Sequence, residues 1–325
     1  MNKILVSMLS HRSFKYSKPT WDILLSLSKR YMDIDINVNF QDLDFYNQVP
    51  DEYKENINVI IHEEATNQGE NRIYARTLWK EYSYISLLDD DITRFSNVIQ
   101  KSGKLGYVTN VSKDRTKQEV IDTSADKYYA FIQDAINNKL NNGFSVVTSQ
   151  GRLFAEWQPE QYKDSKSTST TQHSIWRADA LLEATKFALK YKFPRIHGDD
   201  IIYSTYTKFM GNGTSCDLRC ANYPKKQGIT ESALRPDNTF ADLSVFDFLW
   251  CYQFITPVKF RKMNTGFIKT FIGDNYDHDY LITRLTEMDI SPIKTFVEYY
   301  LEDVSTLDKE QTNMKELNDI IRKKF

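Results

Sequence analysis

The regular alternation of apolar runs with helix-like segments in the first 90 residues is the feature that most constrains the fold of this chain. Short apolar runs predict strands at residues 4–8, 57–61 and 84–88, and the alternation of apolar with polar residues predicts another at 34–40. Between them, apolar residues at helical spacing predict helices at residues 21–31 and 71–82. Strands that alternate with helices are typical of a parallel sheet covered by helices, so the sequence predicts an α/β fold with a mostly parallel sheet.

The rest of the chain is less regular. Strands are predicted at residues 105–108 and 144–147. One helix is predicted to begin after Thr123 as its N-cap and to end at Gly143, and a second helix is predicted at residues 177–191. Residues 163–172, rich in Ser and Thr, and residues 211–223, with Gly-Asn-Gly, are predicted to be loops. The pattern is mostly helical after residue 240, so we expect a first domain of residues 1–238 and a helical C-terminal extension of residues 239–325 packed on it.

Composition excludes several classes of protein. The chain carries 42 basic against 44 acidic side chains, a net charge of −2, so the chain as a whole predicts no polyanion partner. Its three cysteines are irregularly spaced, which argues against a disulfide framework and fits a reducing cytoplasm. All apolar runs fall short of the roughly 18 residues of a membrane span. We therefore expect a cytoplasmic protein, monomeric or weakly dimeric, that spans no membrane.

Three consecutive acids, Asp89, Asp90 and Asp91, directly follow the predicted strand at residues 84–88. Side chains alternate along an extended chain, so Asp89 and Asp91 are expected to point the same way, with Asp90 opposed. Two carboxylates at a strand end suit Mg²⁺ or Mn²⁺ with a diphosphate attached, and ligands bind at this end of open α/β sheets. The alternative is a solvated loop or a helix cap in front of Ile92.

Two arginines precede this strand. Arg72 and Arg76 are four residues apart and would share one face of the predicted helix. Guanidinium groups beside a metal-binding acid pair suit a nucleotide diphosphate, because the arginines and the metal both neutralise phosphate charge. Alternatively, the arginines bridge surface acids such as Glu70 and Glu81.

The stretch from Asn67-Gln68-Gly69 through the two arginines to the acid triplet resembles the GT-A glycosyltransferases. Their signature is a glycine and an arginine-bearing helix that lead into a strand ending in Asp-X-Asp. The resemblance implies a Rossmann-like GT-A fold, a UDP-sugar donor, and metal binding by Asp89 and Asp91. It also implies a set of donor-binding residues at the strand ends and on the helix, namely Ser10, His11, Arg12, Asp42, Arg72, Arg76, Asp89 and Asp90.

A second block matches the same family. Ser174-Ile175-Trp176-Arg177 and Leu181 precede His197-Gly198-Asp199-Asp200, in the order of the Arg-x-x-x-Leu and Gly-Glu-Asp block of family-two-like GT-A enzymes. The resemblance implies that Asp200 is the catalytic base of an inverting reaction and that Asp199 faces the acceptor. Asp199 stands where these enzymes have Glu, so the assignment of the two roles between Asp199 and Asp200 stays open. A carboxylate at this place can accept the proton of an acceptor hydroxyl; the alternative is a turn followed by a helix N-cap.

A narrower resemblance is to the TET/JBP-associated glycosyltransferases of bacteriophages and kinetoplastids, carried by the acid triplet, Ser-Ile-Trp-Arg and His-Gly-Asp-Asp. It implies glucosyl or arabinosyl transfer to 5-hydroxymethylcytosine in phage DNA, in the cytoplasm of the host. Basic residues that would contact DNA phosphates are Lys225, Lys226, Lys259, Arg261 and Lys262. The alternative for these residues is ordinary solvated surface.

Two further residues have both a functional and a structural interpretation. His278 lies in an acidic segment, where GT-A enzymes supply a third metal ligand, although a lone histidine is more often structural. Trp176 is a candidate for stacking on the donor sugar or base, and also for the core. Two other functions stay open: a two-metal phosphoryl or nucleotidyl transferase that uses both acid clusters, and a non-catalytic nucleic-acid-binding protein.

Overall fold

The computed structural model describes residues 4–10, 13–40, 43–61, 81–101, 104–107, 116–151, 162–165, 173–190, 206–207 and 213–224. The chain divides into two units, one of residues 1–187 and 195–234, and one of residues 188–194 and 235–325. All described residues except 188–190 belong to the first unit. The predicted boundary at residue 238 and the helical extension lie outside the described residues and stay predictions.

The described residues contain ten strands that form a mixed sheet. The strands are β1 (Ile4–Ser10), β2 (Ile34–Phe40), β3 (Asn58–Ile61), β4 (Tyr84–Asp89), β5 (Ile92–Lys101), β6 (Lys104–Tyr107), β7 (Val146–Gly151), β8 (Tyr162–Ser165), β9 (His173–Arg177) and β10 (Thr214–Pro224). Their spatial order is β3-β2-β1-β4-β9-β7-β10-β5-β6, and β8 pairs with β10.

Six of the seven strands from β3 to β10 in this order run in the same direction, and β9 runs opposite to them. β3, β2, β1 and β4 all run in one direction. β9 is antiparallel to both of its neighbours, β4 and β7, and β10 is parallel to β7 but antiparallel to β5. This topology confirms the predicted α/β class with a Rossmann-like, mostly parallel sheet, which is the arrangement that the GT-A resemblance implies.

Five α-helices and one 3₁₀ turn are described alongside the sheet. They are α1 (Phe14–Arg30), α2 (Leu43–Asn47), α3 (Asp51–Lys54), α4 (Lys117–Asn138), α5 (Ala178–Lys190) and the 3₁₀ helix Leu140–Asn142. α1 and α4 pack against each other and against β5. Within the described ranges, no helix combines the length and the apolar character needed to cross a membrane.

Apolar side chains of α1 and α4 join the core of the sheet. Trp21, Leu24 and Leu27 of α1 are completely buried, as are Ile132 and Ala135 of α4. Burial of a large aliphatic or aromatic side chain contributes about 1.5–3 kcal/mol. This packing fixes α1 against the sheet.

Both long helices begin earlier than the sequence pattern predicted. α1 begins at Phe14 rather than near Trp21, and α4 begins after Thr116 rather than after Thr123. The prediction of Thr123 as N-cap is wrong, because Thr116 forms a capping box in which its hydroxyl accepts the backbone N–H of Glu119 at 3.2 Å. The pattern missed these first turns because they carry few of the apolar residues that define helical periodicity.

Two segments predicted as loops contain strands. Residues 214–224 form β10, and residues 162–165 form β8 at the start of the Ser/Thr-rich segment. The loop prediction is wrong because β10 is hydrogen-bonded to three other strands, so polar residues such as Ser215 and Asp217 are buried in it. β5 was also missed, since the acid triplet in front of Ile92 resembled a helix cap.

Candidate functional site

The carboxyl ends of β1 and β4 lie side by side at the point where the strand order reverses. From β1 the sheet continues through β2 and β3 on one side, whereas β4 adds to the other side of β1. The register pairs Leu9 with Asp89 across this boundary. Ligands of open α/β sheets bind outside the carboxyl ends of the strands at such a reversal. The acid triplet is therefore at the position where this sheet favours a ligand site.

The three acids form the end of β4 and a two-residue turn. β4 ends at Asp89, Asp90 and Asp91 form the turn, and β5 begins at Ile92. Asp89 is half-buried, whereas Asp90 and Asp91 are only 3% and 8% exposed. The chain leaves the extended conformation after Asp89, so strand alternation no longer decides where Asp91 points. The metal-binding roles of Asp89 and Asp91 stay predictions.

A buried hydrogen bond joins the acid turn to β1. The Ser10 hydroxyl donates to Oδ2 of Asp90 at 3.0 Å, across 80 positions of sequence. Ser10 is 1% exposed. Two residues predicted to bind the donor are thus brought together by the fold, and they bind each other.

A buried polar network lies beneath the acid turn. His173, which pairs in register with Leu88, contacts the hydroxyls of Ser86 through Nε2 at 3.1 Å and of Ser149 through Nδ1 at 2.8 Å. The Ser86 hydroxyl is also 2.8 Å from that of Tyr128. Burial lowers the pKa of His173 from 6.5 to about 3, so the imidazole is neutral, and burial raises the pKa of Tyr128. This network connects β4, β7, β9 and α4 by side-chain contacts.

Aromatic rings enclose the His173 imidazole. The rings of Phe95, Tyr128 and Phe131 meet it edge-on at centroid distances of 5.1, 5.0 and 4.9 Å. The network joins β4 to segments 42 and 87 positions distant in the sequence. Sequence reasoning missed it because no local pattern signals such contacts.

Trp176 belongs to the core. Its side chain is completely buried, and its indole N–H donates to the Ser174 hydroxyl at 3.0 Å. The prediction that Trp176 stacks on a sugar or base requires an accessible ring face, which this burial excludes in the described structure. We therefore assign Trp176 to the core alternative.

The other residues predicted for the site lie outside the described residues. They are His11, Arg12, Asp42, Arg72, Arg76, Asp199, Asp200 and His278, together with the basic residues Lys225, Lys226, Lys259, Arg261 and Lys262. His11 and Arg12 follow Ser10 in sequence, and Asp42 follows the end of β2 at Phe40. Their predicted roles stay predictions.

The acid turn offers ligands of the type that a divalent cation prefers. Among the described residues, no three His, Cys, Asp or Glu side chains converge as a complete metal cage. Mg²⁺ is usually held by one or two carboxylates together with substrate phosphates rather than by such a cage. The carboxylates of Asp89 and Asp91 are of the ligand type that Mg²⁺ or Mn²⁺ accepts together with a diphosphate, and their role as a metal-binding pair stays a prediction.

A second concave region, of about 570 Å³, lies over α1, α3 and the start of α4. Its most buried charge is Asp22, which accepts hydrogen bonds from Lys18 and from the Tyr53 hydroxyl. Burial alone would lower the pKa of Lys18, but its hydrogen bonds to Asp22 and Tyr53 raise it. Because these charges satisfy one another, this cleft is a weaker candidate than the acid turn.

Comparison with known proteins gives weak structural likenesses. No protein-family model and no curated protein sequence matches the chain. S. aureus TarS 1-349 matches with 13% identity over 97% of this chain and 77% of that chain, at a TM-score of 0.41. The same fragment in complex with UDP-GlcNAc matches with 13% identity over 88% and 71%, at a TM-score of 0.42.

A protein from a second organism is also similar. Glucosyl-3-phosphoglycerate synthase from Mycobacterium tuberculosis, in complex with Mg²⁺ and UDP, matches with 10% identity over 70% of this chain and 73% of that chain. Its TM-score is 0.42. At such scores no activity is transferred from these proteins to this chain.

Proposed function

We propose that this protein is a GT-A glycosyltransferase that transfers a sugar from a nucleotide-sugar donor to a hydroxyl acceptor. The observation that carries the proposal is the acid turn Asp89–Asp91 at the reversal of strand order between β1 and β4. This is the place where open α/β sheets bind nucleotides. The order of the sequence blocks that resemble GT-A enzymes agrees with that position.

The donor in this proposal is a UDP-sugar with Mg²⁺ or Mn²⁺. Asp89 and Asp91 would hold the cation, which when bound neutralises the charge that develops on the departing diphosphate. His11 and Arg12 follow β1, which pairs with β4, and Asp42 follows β2, the next parallel strand, so these are the residues proposed to contact the nucleotide. Arg72 and Arg76 are proposed to bind the diphosphate.

The transfer exchanges one bond at the anomeric carbon for another. The acceptor oxygen forms a bond to the anomeric carbon, the bond from that carbon to the diphosphate oxygen breaks, and UDP leaves with the bonding electron pair. In an inverting reaction Asp200, or Asp199 in its place, accepts the proton of the acceptor hydroxyl. These carboxylates are the proposed catalytic residues.

The proposed acceptor is 5-hydroxymethylcytosine in DNA, with glucose or arabinose as the transferred sugar. The support is the resemblance to the TET/JBP-associated enzymes and the basic residues between Lys225 and Lys262. Lysine and arginine would neutralise DNA phosphates and make binding dependent on salt. The hydroxymethyl group supplies the hydroxyl nucleophile that unmodified cytosine lacks.

A donor screen tests the enzymatic part of the proposal. Thermal unfolding is measured with Mn²⁺ and a panel of nucleotide sugars, including UDP-glucose and UDP-GlcNAc, and UDP release is then measured for each donor that stabilises the protein. A ligand at 100 times its Kd stabilises the folded state by about 2.7 kcal/mol. Asp91→Asn should lose this stabilisation, whereas Glu183→Gln, an exposed acid on α5, should keep it. A panel in which no nucleotide sugar binds or is turned over would refute the proposal.

The acceptor is tested separately with two duplexes of the same sequence. One contains cytosine and the other 5-hydroxymethylcytosine, and incorporation of radiolabelled sugar is measured for each. The proposal expects label only in the hydroxymethylated duplex, with incorporation that decreases as salt increases. Equal UDP release with and without that duplex would leave the glycosyltransferase proposal intact and exclude this acceptor.

A further inference from the structure

We propose that Ser10, Asp90 and Thr20 are positioning residues that fix the acid turn, and that Asp90 acts as a hydrogen-bond acceptor rather than as a metal ligand. This inference rests on the proposed function, because it concerns the same acid turn. It reassigns two residues, Ser10 and Asp90, that the sequence placed in direct contact with the donor.

The first support is the hydrogen bond at the start of the turn. Ser10 is the last residue of β1, and its hydroxyl donates to Oδ2 of Asp90 at 3.0 Å. Both residues are almost completely buried, at 1% and 3% exposure. A hydrogen bond to a charged acceptor is stronger than one between neutral groups. Losing one partner would leave the other buried without that bond, which carries a larger penalty than the bond itself is worth.

The second support is a contact at the end of the turn. The Thr20 hydroxyl of α1 donates to the backbone carbonyl of Ile92 at 2.8 Å, and Thr20 and Ile92 are both completely buried. Ile92 directly follows Asp91. Three residues further on, the backbone N–H of Phe95 donates to the Ser124 hydroxyl of α4 at 2.6 Å. The start of β5 is therefore held by both of the long helices that pack on it.

These contacts hold the acid turn at both of its ends. β1 and α1 are consecutive in the chain, so one β–α unit supplies both the Ser10 contact before Asp91 and the Thr20 contact after it. With the turn held at both ends, the backbone positions of Asp89 and Asp91 are set before any ligand arrives. A preorganised pair of ligands avoids the ordering cost that a mobile turn would have to meet on binding.

The chemistry of Asp90 separates the two possible roles. A hydrogen-bond acceptor can be replaced by asparagine, whose carbonyl oxygen still accepts from Ser10, but asparagine removes the charge that a metal ligand provides. Leucine has a similar size but accepts no hydrogen bond. The pair of variants Asp90→Asn and Asp90→Leu therefore distinguishes positioning from direct ligation.

The experiment measures Mn²⁺ binding in the presence of UDP by electron paramagnetic resonance of the free ion. We expect Asp90→Asn to weaken binding by less than about threefold, and Asp90→Leu and Ser10→Ala each by about tenfold, which corresponds to the loss of one buried hydrogen bond. The double variant Ser10→Ala/Asp90→Leu should be no weaker than either single variant, because both remove the same contact. Asp91→Asn provides the benchmark for loss of a ligand.

Thermal unfolding without metal accompanies each variant, so that a loss of binding is compared only among folded proteins. If Asp90→Leu does not fold, Ser10→Ala is compared with Ser10→Thr, which keeps a hydroxyl. We then expect Mn²⁺ binding to be weakened in Ser10→Ala but close to that of the wild type in Ser10→Thr. A loss of Mn²⁺ binding in Asp90→Asn as large as in Asp91→Asn would overturn the inference alone. Failure of the wild-type protein to bind Mn²⁺ with UDP would overturn both the inference and the proposed function.

Discussion

His173 provides a quantitative test of the packing beneath the acid turn. Its imidazole is 1% exposed, contacts the hydroxyls of Ser86 and Ser149, and is surrounded by three aromatic rings. Burial lowers its pKa to about 3. The perturbation is a decrease of pH. Its effect on the free energy of unfolding is compared between the wild-type protein and His173→Gln, which keeps a polar side chain but cannot titrate.

The sign and the size of the expected change in stability follow from the pKa values of His173 in the unfolded and the folded chain. The pKa is about 6.5 in the unfolded chain and about 3 in the folded protein, so the unfolded chain binds the extra proton at pH values between them. The contribution of His173 to stability is therefore fully present above pH 6.5 and is lost as the pH decreases. Between pH 8 and pH 5 the difference in bound protons amounts to a loss of about 2 kcal/mol in the free energy of unfolding.

The assay is urea unfolding at a series of pH values for both proteins. Other titrating groups are common to both, so the difference between their pH profiles isolates His173. We expect the loss of stability from pH 8 to pH 5 to be about 2 kcal/mol smaller in His173→Gln than in the wild type. The imidazole NMR signal of His173 can be assigned because it is missing from His173→Gln. In the wild type this signal should not titrate between pH 8 and pH 5.

Identical pH profiles for the two proteins, or a His173 signal that titrates near pH 6.5, would refute the reasoning. Either result would mean that water or a counter-charge reaches the imidazole. The enclosure by Phe95, Tyr128 and Phe131 would then be incorrect.

Three further substitutions test the packing and the helix and turn assignments by urea unfolding. Trp176→Ala should lower the free energy of unfolding by about 3–5 kcal/mol, because a completely buried indole is removed; a change below about 1 kcal/mol would favour an exposed ring. Thr116→Ala should cost about 1 kcal/mol through loss of the capping box, and Thr123→Ala less. Gly143→Ala should cost about 1–2 kcal/mol because Gly143 has φ +98°, although there is space for the added methyl group; an equal or greater stability for alanine would contradict that conformation.

The half of the sheet that contains β1, β2 and β4 could be predicted from sequence because β1 and β4 are mostly apolar and β2 alternates apolar with polar residues. The other half could not, and β10 shows why. Ser215 and Asp217 are buried by neighbouring strands, so the strand carries no apolar alternation that a local pattern could detect. Its partners β5, β7 and β8 are distant in sequence, and pairing over such distances leaves no local signal.

For the candidate site, the sequence predicted that the acid triplet lies at the end of β4 but not how the three acids are arranged. Strand periodicity predicted the orientation of Asp91 from that of Asp89, but the chain turns after Asp89. The contact between Ser10 and Asp90 joins positions 80 residues apart, so only the pairing of β1 with β4 reveals it. Trp176 was ambiguous for another reason, because the same aromatic side chain suits a core and a sugar-binding surface equally well.

The placement of β10 has a consequence for synthesis on the ribosome. β5 ends at Lys101, but the strand that completes its inner side begins only at Thr214. At translation rates of 5–20 residues per second, this interval lasts roughly 6–23 seconds. Throughout it, the nascent polypeptide exposes an unpaired edge that invites pairing with other chains. Slow elongation between these two points, or truncation upstream of position 214, should therefore promote aggregation before the protein has folded.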